Sequence, residues 1–141
     1  MKILVSACLL GEPCRYDGKS KPNEAVISLK EKHTLIPVCP EALGGLKTPR
    51  IPAEICGDRV MRADGADITE EYKRGAKSTL DIAKKEGVSL AILKSRSPSC
   101  GNKQIYDGTF TKSLIDGKGI TARLLEQNQI RVIDEQELNK I

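Results

Sequence analysis

Three of the five cysteines in this chain, Cys8, Cys39 and Cys100, each follow a short apolar run at a short offset: Ile3-Leu4-Val5, Leu35-Ile36-Pro37-Val38 and Leu90-Ala91-Ile92-Leu93. Thiolates are soft metal ligands, and three of them meeting in one place form the donor set of a metal centre. A lone cysteine at a strand end reads more simply as a small buried hydrophobe. Packing does not require that three strands each be followed by a cysteine at a short offset, with Pro40, Pro98 and Gly101 shaping the loops around them. The sole histidine, His33, precedes the second run and belongs at the opposite edge of a sheet, which argues against a mixed Cys/His zinc site. It also leaves Glu, Asp, Ser or Lys as the acid or base of any proton transfer. Three thiolates without imidazole suit iron-sulfur or zinc, and a missing fourth ligand leaves one metal position open to substrate. Cys56 reads as structural. Cys14, in a loop, is open as a ligand, a resolving thiol or a bystander, with a bystander or supporting role preferred.

The elements that must position these residues alternate. Ile3 to Val5 is short and β-rich, as in a buried parallel strand, and Gly11 to Gly18 is a loop punctuated by Gly and Pro. Asn23 can cap a helix carrying Val26, Ile27 and Leu29, and Thr34 to Val38 is the second strand. Pro40 to Asp67 is a long excursion with a hairpin at Gly57-Asp58, and such excursions carry function. Asp67 with Glu70 resembles a capping box for a helix from Ile68 to about Lys85, with Tyr72, Ala76, Leu80 and Ala83 on one apolar face. Ser89 to Leu93 is the third strand and runs into the polar loop Lys94 to Asn102. Ile105 to Phe110 is a hairpin or β-arm, Asp116 to Gly119 a flexible turn, Thr121 to Asn128 a helix, Ile130 to Ile133 a fourth strand and the tail a short closing helix. The expected fold is an α/β three-layer sandwich: a Rossmann-like open parallel sheet of about four strands with small hairpin insertions, residues 1–141 forming one domain. The carboxyl ends of its strands converge on one crevice.

Composition narrows the partners. The 141 residues can bury roughly two thirds of the unfolded chain's surface, so no disulfide is needed. The net charge of +4 is spread along the chain, and one Phe, three Tyr and no Trp leave few stacking platforms for bases. Nucleic acid is therefore not the expected partner. Val5-Ser6-Ala7-Cys8 resembles a lipoprotein cleavage site, but only seven residues precede Cys8, too few for a signal peptide. No window approaches the ~18 apolar residues of a membrane span, so the expected location is the cytoplasm, where thiols stay reduced.

Several motifs in fixed order carry a resemblance over the whole chain. They are Ser6-Ala7-Cys8-Leu9-Leu10-Gly11, Cys14-Arg15-Tyr16-Asp17-Gly18, Val38-Cys39-Pro40-Glu41 with Gly44-Gly45 and Pro49-Arg50, Lys94-Ser95-Arg96-Ser97-Pro98-Ser99-Cys100-Gly101, and Tyr106-Asp107-Gly108. Together they resemble the thiouracil desulfidases, a small bacterial domain formerly of unknown function. The resemblance implies a 4Fe-4S cluster held by three cysteines, carried onto Cys8, Cys39 and Cys100. Its fourth iron would take the sulfur of a thiolated pyrimidine of the 2-thiouracil or 4-thiouridine type, which water converts to the oxo base with release of sulfide and no net redox change.

Glu41 and Ser97, close to two proposed ligands and matching motif positions, are the candidates for activating water and handling substrate protons. Taken alone, Glu41 would instead cap the Gly44-Gly45 loop, and Ser97 would be a turn hydroxyl. Arg15, Arg50 and Lys94, with Arg96, are candidate substrate-binding cations that could offset the charge of a reduced cluster and hold a ring oxygen or phosphate. Two other readings compete: a zinc-binding structural or binding module using the same cysteines, and a thiol redox enzyme pairing Cys8 with Cys14, against which the lack of a Cys-x-x-Cys pair counts. A small-molecule thiopyrimidine is the expected partner, with thiolated tRNA still open.

Overall fold

The computed structural model describes all 141 residues. The chain runs β1 (Lys2–Ser6), α1 (Glu24–Ser28), β2 (Thr34–Val38), α2 (Pro40–Leu43), β3 (Ala53–Cys56), β4 (Arg59–Arg62), α3 (Thr69–Glu86), β5 (Leu90–Leu93), β6 (Gln104–Tyr106), β7 (Leu114–Asp116), α4 (Ile120–Gln127) and β8 (Arg131–Asp134). Short 3-10 turns occupy Ala7–Leu10, Leu29–Glu31 and Leu138–Lys140. The main sheet is parallel throughout, in the order β2-β1-β5-β8, and the pairs β3-β4 and β6-β7 form two separate antiparallel hairpins.

Central β1 shows why the apolar runs become strands. Ile3, Leu4 and Val5 are completely buried, as a strand covered on both faces must be. Their side chains alternate. Leu4 packs with Leu80 and Ala83 of α3 and Ala122 and Leu125 of α4, whereas Ile3 and Val5 pack on the other face with Val26 of α1 and Leu9. Helices therefore cover both faces of the sheet, which makes the expected three layers. Along the chain, β2 is laid on one side of β1, and β5 followed by β8 on the other, so the strand order switches direction between β1 and β5. Ligands of open α/β sheets bind beyond the carboxyl ends of the strands at such a switch.

A smaller apolar cluster, Ile55, Val60, Ile68, Tyr72 and Ile105, joins the two hairpins to the start of α3. Asp67 does not form the expected capping box with Glu70. Its Oδ1 accepts from the Thr69 backbone N–H at 3.0 Å and the Thr69 hydroxyl at 2.6 Å, while Oδ2 receives Arg59 Nε at 2.8 Å. The Thr69 hydroxyl in turn accepts the Val60 N–H at 2.8 Å, so this corner is tied to β4 and the helix begins at Thr69. Three further stretches differ from expectation. The excursion after Pro40 opens with the one-turn helix α2; Asp116 ends β7 instead of starting a flexible turn; and the closing helix is a single 3-10 turn.

The helices α2 and α3 approach closely because two glycines face each other. A β-carbon on Gly44 would strike the Glu71 carbonyl, and one on Gly75 would strike the Pro40 carbonyl. This contact seats the Cys39-Pro40-Glu41 turn directly on α3.

Candidate active site

A cleft of about 770 Å³ opens at the carboxyl ends of β1, β2 and β5, and Cys8, Cys39 and Cys100 all line it. Each reaches it by a different local device. Cys8 lies in the 3-10 turn after β1, closed by Gly11 in the left-handed conformation (φ 100°), whose N–H returns to the Cys8 carbonyl at 3.2 Å. Cys39 precedes α2, with Pro40 at the first helical position, where a missing N–H costs nothing. Cys100 ends the Lys94-to-Cys100 loop, which holds Arg96 at φ 67° and is anchored where the Ser6 hydroxyl, at the end of β1, accepts the Lys94 N–H at 2.9 Å. Next to it, Gly101 has no room for a side chain, since a β-carbon would lie 2.9 Å from the Ser97 carbonyl and 3.0 Å from that of Gln104.

Cys14 joins this group. Its thiol lies near those of Cys39 and Cys8, and the Cys39 thiol reaches the Cys14 carbonyl at 3.7 Å. The contact with Cys39 favours the Cys14 thiolate. Against it act the contact with Cys8, burial and the nearby charge of Cys8 and Glu41, which together raise the Cys14 thiol to about 11. Cys39 is pushed far up by its contact with Cys14, by burial and by Glu41. Cys100, buried, is raised by desolvation and then by Glu41, against a hydrogen bond with Ser6. The thiols are thus held neutral until a cation replaces their protons. No three His, Cys, Asp or Glu side chains close around one point as a single ion would need, with ligand bonds near 2.3 Å. A polynuclear cluster is ligated at separate irons, so its cysteines stand further apart, and an all-thiol set without imidazole is the set such clusters take.

Glu41 sits in the first turn of α2. Its Oε2 receives Arg50 Nη2 at 2.9 Å, while Oε1 is sealed from solvent and has no partner. Burial pushes its carboxyl above the ordinary range and the Arg50 charge pulls it back. The loop amides do not turn to this carboxylate, because the Gly44 and Gly45 N–H groups donate to the carbonyls of Pro40 and Ala42. Arg50 makes further contacts: Nη2 also donates to the Cys14 carbonyl at 3.1 Å, and Nη1 donates to Thr48 Oγ1 at 3.0 Å and the Lys47 carbonyl at 3.4 Å. Ser97 Oγ accepts the N–H groups of Ser99 and Cys100, each at 3.0 Å. With both acceptor positions used, its proton is the part left to donate.

Known proteins resemble this chain over almost its whole length. Residues 3–137 match the profile of the 2-thiouracil desulfurase family. The chain belongs to that family. It is similar to the Bacillus subtilis (strain 168) protein YbbK, described as uncharacterized, with 46% identity over 149 residues covering 99% of each chain. It is also similar to the solved structure of the [4Fe-4S]-dependent thiouracil desulfidase TudS, at 43% identity and a TM-score of 0.94, over 99% of this chain and 93% of that one.

The remaining residues complete the walls. Lys94 lines the cleft with Nζ at 3.1 Å from Glu135 Oε2 and 3.2 Å from the Ser95 carbonyl, whereas Arg15 lines it without a carboxylate partner. Cys56 lies away from the other thiols, with Sγ donating to the Gly108 carbonyl at 3.4 Å. Sequence reasoning passed over two cleft residues. Buried Glu54 of β3 accepts the N–H groups of Gly108 at 3.0 Å and Phe110 at 3.2 Å, fixing the β6-β7 loop as one wall. Tyr72, which has the spacing of an apolar helix face, lines the floor. The signal for Glu54 was its place between Ala53 and Ile55 in a strand too short and apolar to leave it free; for Tyr72 the sequence holds none.

Proposed function

We propose that this desulfurase carries out non-redox, hydrolytic removal of sulfur from a small thiolated pyrimidine of the 2-thiouracil or 4-thiouridine type. The observation that carries the reading is the unpartnered, buried Glu41 Oε1 in the cleft shared by the three strand-end cysteines. Cys8, Cys39 and Cys100 would hold a 4Fe-4S cluster through three of its irons. The fourth iron of a cluster so held supplies a Lewis acid for the thiocarbonyl sulfur, making sulfide a better leaving group.

The chain's own groups handle water and protons. Glu41 lines the cleft with Oε2 fixed by Arg50, and the raised proton affinity of its carboxyl suits a general base toward water at the ring carbon. Ser97, able only to donate, steadies the oxygen being added or the ring atom that gains charge. The C–S bond breaks, a C–O bond to water forms, and both water protons leave with the sulfur as hydrogen sulfide, so neither carbon nor sulfur changes oxidation state. Arg15, Arg50 and Lys94 line the cleft as substrate-binding cations, and residues 1–141 act as one domain. No helix is long and apolar enough to cross a membrane, and reduced thiols fit a cytoplasmic site.

A second reading has one observation in its favour: Cys14, in contact with Cys8 and Cys39, could complete a closed four-thiolate zinc site. Anaerobically purified protein decides between them. The desulfidase reading expects brown protein containing iron and acid-labile sulfide that turns 2-thiouracil into uracil and sulfide without added reductant. Colourless zinc-loaded protein, or iron-loaded protein that frees no sulfide from any thiopyrimidine, overturns it.

A further inference from the structure

Tyr72 is 5% exposed, its ring held among Ile55, Val60, Ile68 and Ile105, yet it lines the cleft and its hydroxyl takes part in none of the chain's hydrogen bonds. Unlike Glu41 Oε1, this hydroxyl is not sealed from solvent, so the ring is buried while the donor stays free at the cleft. The surrounding geometry shows what this one faces. Tyr72 and Gly75 are three apart and share one face of α3, and Gly75 abuts the Pro40 carbonyl beside Glu41. Burial and the negative charge of Glu41, with Cys100 and Cys39 beyond, keep the phenol protonated, so it can donate at any ordinary pH.

We propose that Tyr72 is a further catalytic residue whose phenol donates a hydrogen bond to the carbonyl oxygen that a thiouracil ring carries besides its thiocarbonyl. The proposal rests on the desulfidase reading. Addition of water to the thiocarbonyl carbon puts its charge on the sulfur, so a donor on the other carbonyl acts by holding the ring with its thiocarbonyl carbon toward Glu41 and Ser97. No atom is transferred to or from the tyrosine. The apolar socket around the ring fixes where the donor sits, which is the condition for orienting a substrate.

Tyr72→Phe removes only this hydroxyl. In cluster-loaded protein its iron content should equal wild type, and its melting temperature should be equal or higher, since no internal hydrogen bond is lost. Turnover of 2-thiouracil, as kcat/KM, should fall about tenfold to a hundredfold, and calorimetric titration should show uracil, the product, binding about tenfold more weakly, the loss of one hydrogen bond to a ligand. Wild-type turnover and uracil affinity in the variant would overturn the proposal, as would a lowered melting temperature with activity intact, the mark of a structural hydroxyl. Should wild-type protein bind uracil but release no sulfide, the desulfidase reading fails separately and uracil affinity alone judges Tyr72. If wild type binds no uracil, the Tyr72 contact falls.

Discussion

Two regions of this molecule build the same cleft by different means. The strand-end region, carrying Cys8, Cys39 and the Lys94-to-Cys100 loop, projects from a sheet whose central strands are fully buried, and main-chain geometry does most of the positioning: a left-handed Gly11, Pro40 at a helix start, a crowded Gly101. The hairpin region, β3-β4 and β6-β7, has a core of only five buried apolar residues, and its two hairpins are tied to each other by the buried Glu54. The difference separates the tasks. Groups that must stay fixed relative to one another stand on the rigid sheet, and the wall that meets a substrate's outer edge hangs on side-chain hydrogen bonds that substitution can retune.

The largest effect should come from the rigid side. Cys8→Ser, Cys39→Ser or Cys100→Ser should each lose most bound iron after anaerobic reconstitution, since a hydroxyl is a poor substitute for a thiolate in an iron-sulfur site. Cys56→Ser, in the hairpin region, should keep wild-type iron content. Full iron in Cys39→Ser, or loss in Cys56→Ser, would erase the division. Cys14→Ser is expected to retain part or all of the iron and thereby to measure how far its contacts with Cys8 and Cys39 matter. Next, Glu41→Gln and Ser97→Ala should keep the iron yet slow sulfide release about 100- to 10,000-fold, the usual loss on removing a positioned acid or base. Wild-type rates in both would place water activation elsewhere.

The rigid region was also the legible one. Four apolar, β-rich runs marked the four parallel strands to within a residue or two, and the strand-end rule placed three cysteines in one cleft. What escaped was set by contacts between distant segments. The short helix α2 rests on the paired Gly44 and Gly75, and neither glycine announces its partner. Arg50 lines the cleft as its place beside the motif suggested, but its contacts with Glu41, Cys14, Lys47 and Thr48 could not be read from the chain. Tyr72 has the spacing of an ordinary core residue, and only the fold shows its hydroxyl at the cleft. Asp67 and Glu70 have the spacing of a capping box, but Thr69 and Arg59 compete for the aspartate and win.

Stability measurements sharpen the comparison further. Glu54→Ala leaves the Gly108 and Phe110 N–H groups without their acceptor, and about 2–3 kcal/mol should be lost in urea unfolding, the cost of orphaned partners around a buried charge. Iron binding should survive, because the hairpins do not hold the cysteines. Loss of iron in Glu54→Ala would show that the wall and the strand ends are one unit after all. Gly75→Ala, on the rigid side, should cost about 1–3 kcal/mol by forcing α2 off α3, and it should lower turnover as well because Glu41 moves with α2.

The smallest expected effect tests whether the strand-end region is as free of polar fastening as it looks. Glu137, just past β8, joins that strand to the segment following Cys100: Oε1 accepts from Asn102 Nδ2 at 3.0 Å and the Asp134 N–H at 3.1 Å, and Oε2 meets Lys140 at 2.8 Å and Lys103 at 3.4 Å. Burial alone would raise its carboxyl, but the Lys140, Asn102 and Asp134 contacts outweigh it and hold the group down at about 2, below its ordinary 4.5. A carboxyl whose folded affinity for protons is depressed stabilises the fold above the unfolded value and loses that contribution as pH falls through the folded one. Wild-type stability should therefore drop between about pH 4.5 and 2 by more than that of Glu137→Gln, which cannot titrate. Both lysines are about half exposed, so solvent screening limits the difference to about 1 kcal/mol. Asp134 is shifted the opposite way, mainly by burial, which is common to both proteins, and in smaller part by the Glu137 charge, which works against the difference. Parallel pH profiles for the two proteins would mean that the Glu137 contacts are incidental and that main-chain geometry fastens the strand ends unaided.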